Sequence, residues 1–325
     1  MFSRLLFLCF ISFSLLVCPP FAVAKPDMTI KTGKTVADTG AEGYRFVRLT
    51  LSREDTIQHR RIDYRVNLAI PTTPTPDEGF PLLIMLDGNA ALMEVNADWL
   101  AQMSERAGPP PVLAFLAHDN DLRIDGDARA WDYTPAVTDA QLSQREKRPG
   151  RSYGGADQYL AFITHDVVSA ISQHTQINMQ KRGLWGHSYG GLFVLHALFT
   201  QPEGFAFYAP VDPSLWWGEG YILKEEKSAA NTLNSTQGKS LFVVTGSGGD
   251  KNRSHKDRND PALAAIYKAR EAVPGDELSR LVERVNANNV NAKHITLPGL
   301  SHGATLGASL PEVFAAFSEF TRSNN

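Results

Sequence analysis

The chain has 325 residues, with 32 Lys and Arg against 35 Asp and Glu, and a formal net charge of −3. So mild a balance argues against nucleic acid or an anionic membrane as the main partner, since either would favour a strongly basic face. Both cysteines, Cys9 and Cys18, fall within the first 24 residues. The remainder therefore has no disulfide scaffold, no thiol nucleophile and no cysteine metal site.

Residues 1–24 read as a secretory signal. Met1 to Arg4 is a short basic start, and Leu5 to Val17 is an apolar core too short to span a membrane comfortably. Ala22-Val23-Ala24 supplies small residues before a cut ahead of Lys25. Export without cysteine points to the periplasm of a Gram-negative bacterium. Residues 25–325 suffice for one large core, so a single domain is expected.

In chain order, Lys25 to Glu42 is a polar lead-in. Tyr44–Leu49 and Tyr64–Ile70 alternate with period two, as antiparallel edge strands do, with a polar turn expected around Glu54 and Asp55. Pro71–Gly79 is a loop. Pro81–Leu86 is a continuous apolar run, the mark of a strand covered on both faces. Asp87-Gly88-Asn89-Ala90 turns into a helix over Leu92–Arg106, and Val112–Ala117 is a second buried strand. Asp119–Tyr153 is long, polar and aperiodic, and loops of that length are usually functional or mobile. Gly155–Gln173 is helical, with Leu160, Ile163, Val167 and Ile171 on one face.

Arg182-Gly183-Leu184-Trp185 is strand-like and runs into Gly186-His187-Ser188-Tyr189-Gly190-Gly191, after which Leu192–Phe199 reads as a buried helix. Strand, sharp turn and helix with a serine at the tip is the context of a nucleophile elbow. Gly186 and Gly190 are expected where a side chain would collide, leaving Ser188 a left-handed backbone. Phe205–Pro210, Leu241–Thr245 and His294–Leu297 are further strands. Gly246–Asn259 is a charged, glycine-rich loop, Leu263–Ala287 is helical with a break at Pro274-Gly275, and Leu310–Thr321 closes the chain as a helix. The alternation predicts an α/β-hydrolase fold: a mostly parallel central sheet with antiparallel N-terminal edge strands and helices on both faces.

A serine hydroxyl needs a base to take its proton. In this fold class the chain order is Ser, acid, His, which puts the base after the final strand. His302, in Pro298-Gly299-Leu300-Ser301-His302-Gly303, holds that place. His187, inside the elbow, is expected to point away from the serine; His196 on the helix and His255 in a charged loop are weaker alternatives. Among acids, Asp250 after the strand Leu241–Thr245 is best placed. Asp257 and Asp260 lie farther along that loop, Asp212 ends the preceding strand, and a site without an acid stays open. The oxyanion hole is expected to use the N–H of Tyr189 and an amide at Asn89, behind Gly88.

Met85-Leu86-Asp87-Gly88-Asn89, the segment Arg129 to Pro135, Gly154-Gly155-Ala156, the elbow, Pro213-Ser214-Leu215-Trp216-Trp217 and Ser301-His302-Gly303 occur in that order. In these stretches the sequence resembles the "putative esterase" branch of the α/β-hydrolases, most of all its periplasmic siderophore trilactone esterases, from about Phe80 to the C-terminus. The resemblance implies hydrolysis of the triserine lactone of a catecholate siderophore of the enterobactin or salmochelin type. It further implies a Ser–His dyad, with Arg129 near the carbonyl or the anionic catecholates. Trp131, Tyr133, Trp216 and Trp217 would offer aromatic faces to so large and flat a ligand. One departure is Val211-Asp212-Pro213, where a small neutral residue is expected before the proline. No cofactor or metal is expected, and the partner is a small-molecule ester. Two readings compete with this one: a general carboxylesterase or thioesterase for small acyl groups, as in S-formylglutathione hydrolases, and a non-catalytic siderophore-binding relative.

Overall fold

The computed structural model describes residues 28–143, 146–147, 149–229, 233, 238–248, 268–269 and 272–323. The signal segment 1–24 and the loop candidates Asp250, His255, Asp257 and Asp260 lie outside the described residues.

β1 (Tyr44–Asp55) and β2 (Arg60–Pro71) form an antiparallel hairpin, with Tyr44 opposite Pro71 and Asp55 opposite Arg60. β2 continues antiparallel against β4 (Val112–His118). From there β3 (Phe80–Met85), β5 (Ile177–His187), β6 (Phe207–Val211), β7 (Ser240–Gly246) and β8 (Asn291–Leu297) extend the sheet in parallel pairs. The order is β1-β2-β4-β3-β5-β6-β7-β8, so β5 is central and β8 is an edge.

The apolar runs fill two cores, one on each face. Along β3, Leu82 and Ile84 enter one core while Leu83 and Met85 enter the other, because successive side chains of a strand point oppositely. The first core is covered by helices Ala156–Phe162, Tyr189–Thr200 and Glu277–Ala287, through Tyr159, Leu195 and Leu281 among others. The second is covered by Gly88–Glu94, Ala97–Glu105 and Leu310–Ser323, through Leu92, Leu100 and Phe317. Each such side chain contributes about 1.5–3 kcal/mol when fully buried.

Three elements differ from expectation for local physical reasons. Glu54 and Asp55 belong to β1, not to the turn, which falls at Thr56–His59. The helix expected over Leu92–Arg106 is two helices, because Asn96 caps the second by accepting from the Trp99 N–H at 2.9 Å. Within the polar stretch Asp119–Tyr153 sits a short helix, Ala128–Asp132, whose charged residues are buried. Asp132 there accepts from Arg53 at 2.5 Å and from the Tyr64 hydroxyl at 2.7 Å, and lies 2.7 Å from His118 Nε2. The Trp131 indole N–H donates to Asp55. This network ties the loop helix to the edge strands.

Candidate active site

β5 ends at His187 and a helix begins at Tyr189, so Ser188 alone makes the turn, with φ 62° and ψ −112°. A non-glycine residue held in a sparsely populated conformation costs of order 1–3 kcal/mol. Neighbouring backbone holds it: Ser188 N–H donates to Val211 O at 2.9 Å, and Ser214 N–H donates to Ser188 O at 3.2 Å. A Cβ on Gly186 would lie 2.5 Å from the carbonyl carbon of Gly190, and one on Gly191 would lie 2.9 Å from Val211 O. At Gly190 the nearest atom would be 3.7 Å away, ordinary contact. The glycines demanded by sterics are therefore Gly186 and Gly191, a correction to the expected pair.

His302, in the loop after β8, places Nε2 3.1 Å from Ser188 Oγ. The serine hydroxyl also lies 3.3 Å from Ser214 Oγ. His187 packs against His302, with ring centroids 4.7 Å apart. Its Nε2–H donates to the His302 carbonyl at 2.7 Å, pinning the loop that carries His302. Burial lowers the His187 imidazole to about 4, so it stays neutral and keeps that N–H.

The carboxylate facing His302 among the described residues is Asp212, just beyond β6, with Oδ2 3.8 Å from Nδ1. The Thr305 hydroxyl donates to Asp212 Oδ2, and Gly246 N–H donates to Oδ1 at 3.3 Å. His187, Asp212 and His302 each bring one donor atom within 4.8 Å of the others, close enough to surround a cation. Hydrogen bonds to the His302 carbonyl and from Thr305 already account for His187 Nε2–H and for one oxygen of Asp212.

Tyr189 opens the helix behind the serine, where unpaired N–H groups and the positive dipole end collect. Asn89 is the second residue of helix Gly88–Glu94, and its carboxamide donates to Asn120 O at 3.0 Å and Leu122 O at 2.8 Å. Its side chain thus braces the neighbouring loop, leaving the backbone amide as what this residue can offer an oxyanion.

Arg129 is largely withdrawn from solvent. It pairs with Asp87 through Nε–Oδ1 at 2.9 Å and Nη2–Oδ2 at 2.8 Å, and Nη2 donates to the His187 carbonyl at 3.0 Å. Burial opposes its charge, but Asp87 outweighs that and raises the guanidinium pKa. Its expected place beside the ligand is corrected to a buried clamp between the Asp87 turn and the elbow. Tyr133 is fully buried, its hydroxyl accepting from Asp87 N–H at 3.0 Å, and Trp217 and Trp131 are buried too. None of the three presents the expected aromatic face. Trp216 does: it packs on Tyr189 and lines an open cleft of about 310 Å³ with Asp212, Leu215, Val273, Leu278 and His302.

Three residues at the site escaped the sequence reading or were ranked low in it. Asp212 carried a signal, the departure before Pro213. Ser214 lay in a quoted motif without a role, and Thr305, in a short helix after His302, had no signal.

A mostly parallel sheet with a serine on a strand–helix elbow and a histidine delivered after the last strand defines an α/β-hydrolase. The chain belongs to the esterase family described as "Putative esterase", whose model matches residues 59–303. It is 33% identical over 297 residues to the apo-salmochelin esterase of Escherichia coli O6:H1, covering 90% of this chain and 85% of that one. It is 35% identical over 195 residues to the siderophore triacetylfusarinine C esterase of Aspergillus fumigatus, covering 58% and 62%. Among solved structures it is similar to an enterobactin and salmochelin hydrolase, with a TM-score of 0.64, 28% identity, and coverage of 87% of this chain and 98% of that one. Among the described residues no helix is long and apolar enough to cross a membrane.

Proposed function

We propose that this esterase opens the ring of a cyclic trilactone catecholate siderophore of the enterobactin or salmochelin type, with Ser188 as nucleophile and His302 as base and acid. The observation that carries the proposal is the 3.1 Å approach of His302 Nε2 to Ser188 Oγ at a strained elbow. Relatives named for siderophore ester hydrolysis support the substrate class.

Ser188 passes its proton to His302 Nε2 as Oγ bonds the ester carbonyl carbon. The oxyanion meets the Tyr189 N–H and an amide at the start of helix Gly88–Glu94, Asn89 in this reading; removing one such donor costs about 2.7–4 kcal/mol of transition-state stabilisation. Collapse breaks the carbonyl carbon–oxygen bond, and the leaving serine oxygen of the lactone takes the proton from His302. Water then adds to the acyl-enzyme, with His302 receiving its proton and returning it to Ser188. Trp216 supports one flat catecholate arm, while Arg129 keeps the elbow and the Asp87 turn in register. Residues 1–24 support export to the periplasm, with cleavage ahead of Lys25.

Incubation with iron-free enterobactin, followed by chromatographic product analysis, tests the proposal. Linear trimer should accumulate with the native chain and not with Ser188→Ala. Rapid turnover of short p-nitrophenyl esters without ring opening would replace the siderophore with a small acyl substrate. Failure of a fluorophosphonate to label Ser188 would remove hydrolysis altogether.

A further inference from the structure

We infer that Asp212 is the carboxylate that orients His302 and balances its charge during the reaction, completing a triad from the loop after β6. This rests on the Ser188–His302 reading and adds a positioning residue to it. The sheet order explains the origin of the acid. Ser188 ends the central strand β5, Asp212 follows its neighbour β6, and His302 follows the edge strand β8. The start of the loop after β7, Gly246-Ser247-Gly248, packs against the loop that carries His302, with Ser247 Oγ accepting from Gly299 N–H at 2.9 Å, while Asp250 lies outside the described residues. A Cβ on Gly246 or Gly248 would overlap the backbone of Leu300 and Gly299.

The Asp212 carboxylate is aimed and held. Its backbone sits at φ 40°, with its N–H donating to Val244 O at 2.8 Å. Gly246 N–H and the Thr305 hydroxyl fix its two oxygens. Oδ2 stands 3.8 Å from His302 Nδ1, somewhat beyond a hydrogen bond. Catalytic hydrogen bonds in free enzymes are often long and tighten in the substrate complex. The His302 side chain, 35% exposed, has room for that rotation.

Among the described residues, the other ionisable groups around His302 do not duplicate this role. His187 from β5 touches the ring, and burial keeps it neutral. Asp87 lies beyond His187 and is paired with Arg129. An anion at Nδ1 favours the tautomer with its proton there, leaving Nε2 to accept from Ser188, and then stabilises the imidazolium.

The experiment measures phosphonylation of Ser188 by a fluorophosphonate, and hydrolysis of p-nitrophenyl acetate, from pH 5 to 9 for the native chain, Asp212→Asn, Thr305→Val and Asp250→Asn. Neither probe depends on the natural substrate. Asp212→Asn should lower kcat on the order of 10²- to 10⁴-fold with KM little changed. Its acidic limb should move down by about one pH unit or more, because the neutral imidazole is no longer disfavoured by an anion. Thr305→Val, which leaves the carboxylate in place but unfastened, should lower kcat by a smaller factor. It keeps the inference testable where Asp212→Asn fails to fold by thermal melt. A folded Asp212→Asn within tenfold of the native rate and with an unmoved acidic limb overturns the role. So does a larger kcat loss in Asp250→Asn than in Asp212→Asn, or, where only Thr305→Val folds, a native rate in that variant. Failure of the native chain to be labelled overturns the Ser188–His302 reading itself, an outcome distinct from these.

Discussion

Replacing Arg129 with Met separates a ligand contact from a structural clamp. The side chain is 10% exposed and its partner carboxylate on Asp87 is 3% exposed, so solvent screens the pair little. Removing one member of a buried pair costs about 3–5 kcal/mol, because the other charge stays behind unpaired. The His187 carbonyl also loses its donor at 3.0 Å, a further loss of about 1 kcal/mol or more. A total of roughly 4–6 kcal/mol is a large part of the 5–15 kcal/mol that holds a typical domain together. At about 2 °C per kcal/mol for a chain of this size, the melting temperature should fall by roughly 8–12 °C. Asp87→Asn added to Arg129→Met should recover part of that, since no buried charge is then stranded and Asn tolerates the positive φ of 47° at that position. Urea unfolding followed by tryptophan fluorescence, with kcat and KM on a short ester, reads both effects. An unchanged melting temperature with KM alone raised would show that Arg129 meets the ligand and refute the clamp.

Gly186→Ala should disrupt the elbow, because its Cβ would lie 2.5 Å from Gly190 backbone, whereas Gly190→Ala should change stability by less than about 1 kcal/mol. Equal thermal melts for the two variants would refute that contrast. His196 and His187 should shape stability at opposite ends of the pH range. Burial opposes the charge on His196, but hydrogen bonds to Asp157 and Glu225 outweigh it and lift the pKa to about 9 from 6.5. Its support is therefore complete below pH 6.5 and disappears as pH rises through about 9, on the order of 2–3 kcal/mol once the 68% exposure of Asp157 is discounted. Urea titrations should show this loss in the native chain and not in His196→Gln. His187, lowered to about 4, takes up its proton more readily when unfolded, so its effect is a loss of stability as pH falls from 6.5 towards 4. His187→Asn should flatten that acid limb in the same titrations.

What was legible in the sequence followed from apolar pattern and turn chemistry. β3 and β4 announced themselves as unbroken hydrophobic runs, and the elbow by its glycines. What was hidden is charge placed inside. Arg53 and Asp55, 7% and 1% exposed, occupy inward positions near the end of β1, so the strand looked finished before them. Arg129 and Asp132 sit on a short buried helix with no hydrophobic period, and their partners Asp87, Arg53 and Tyr64 are distant in sequence. A charged residue read alone is assigned to water; only the fold shows the opposite charge waiting for it. The nearness of Asp212 to His302 was hidden for a related reason, while Asp250 lies outside the described residues. Residue order alone does not show that the residue after β6 faces His302; the sheet brings Asp212 Oδ2 to 3.8 Å from its Nδ1.

The imidazole beside Ser188 arrives from 114 positions downstream, after the edge strand β8. A nascent polypeptide that ends between residues 214 and 302 would carry every residue that holds the elbow and still lack the imidazole, and is expected to be inert towards esters. Recovered turnover during refolding is thus a clock for docking of the C-terminal strand and its loop, and not for collapse of the central sheet.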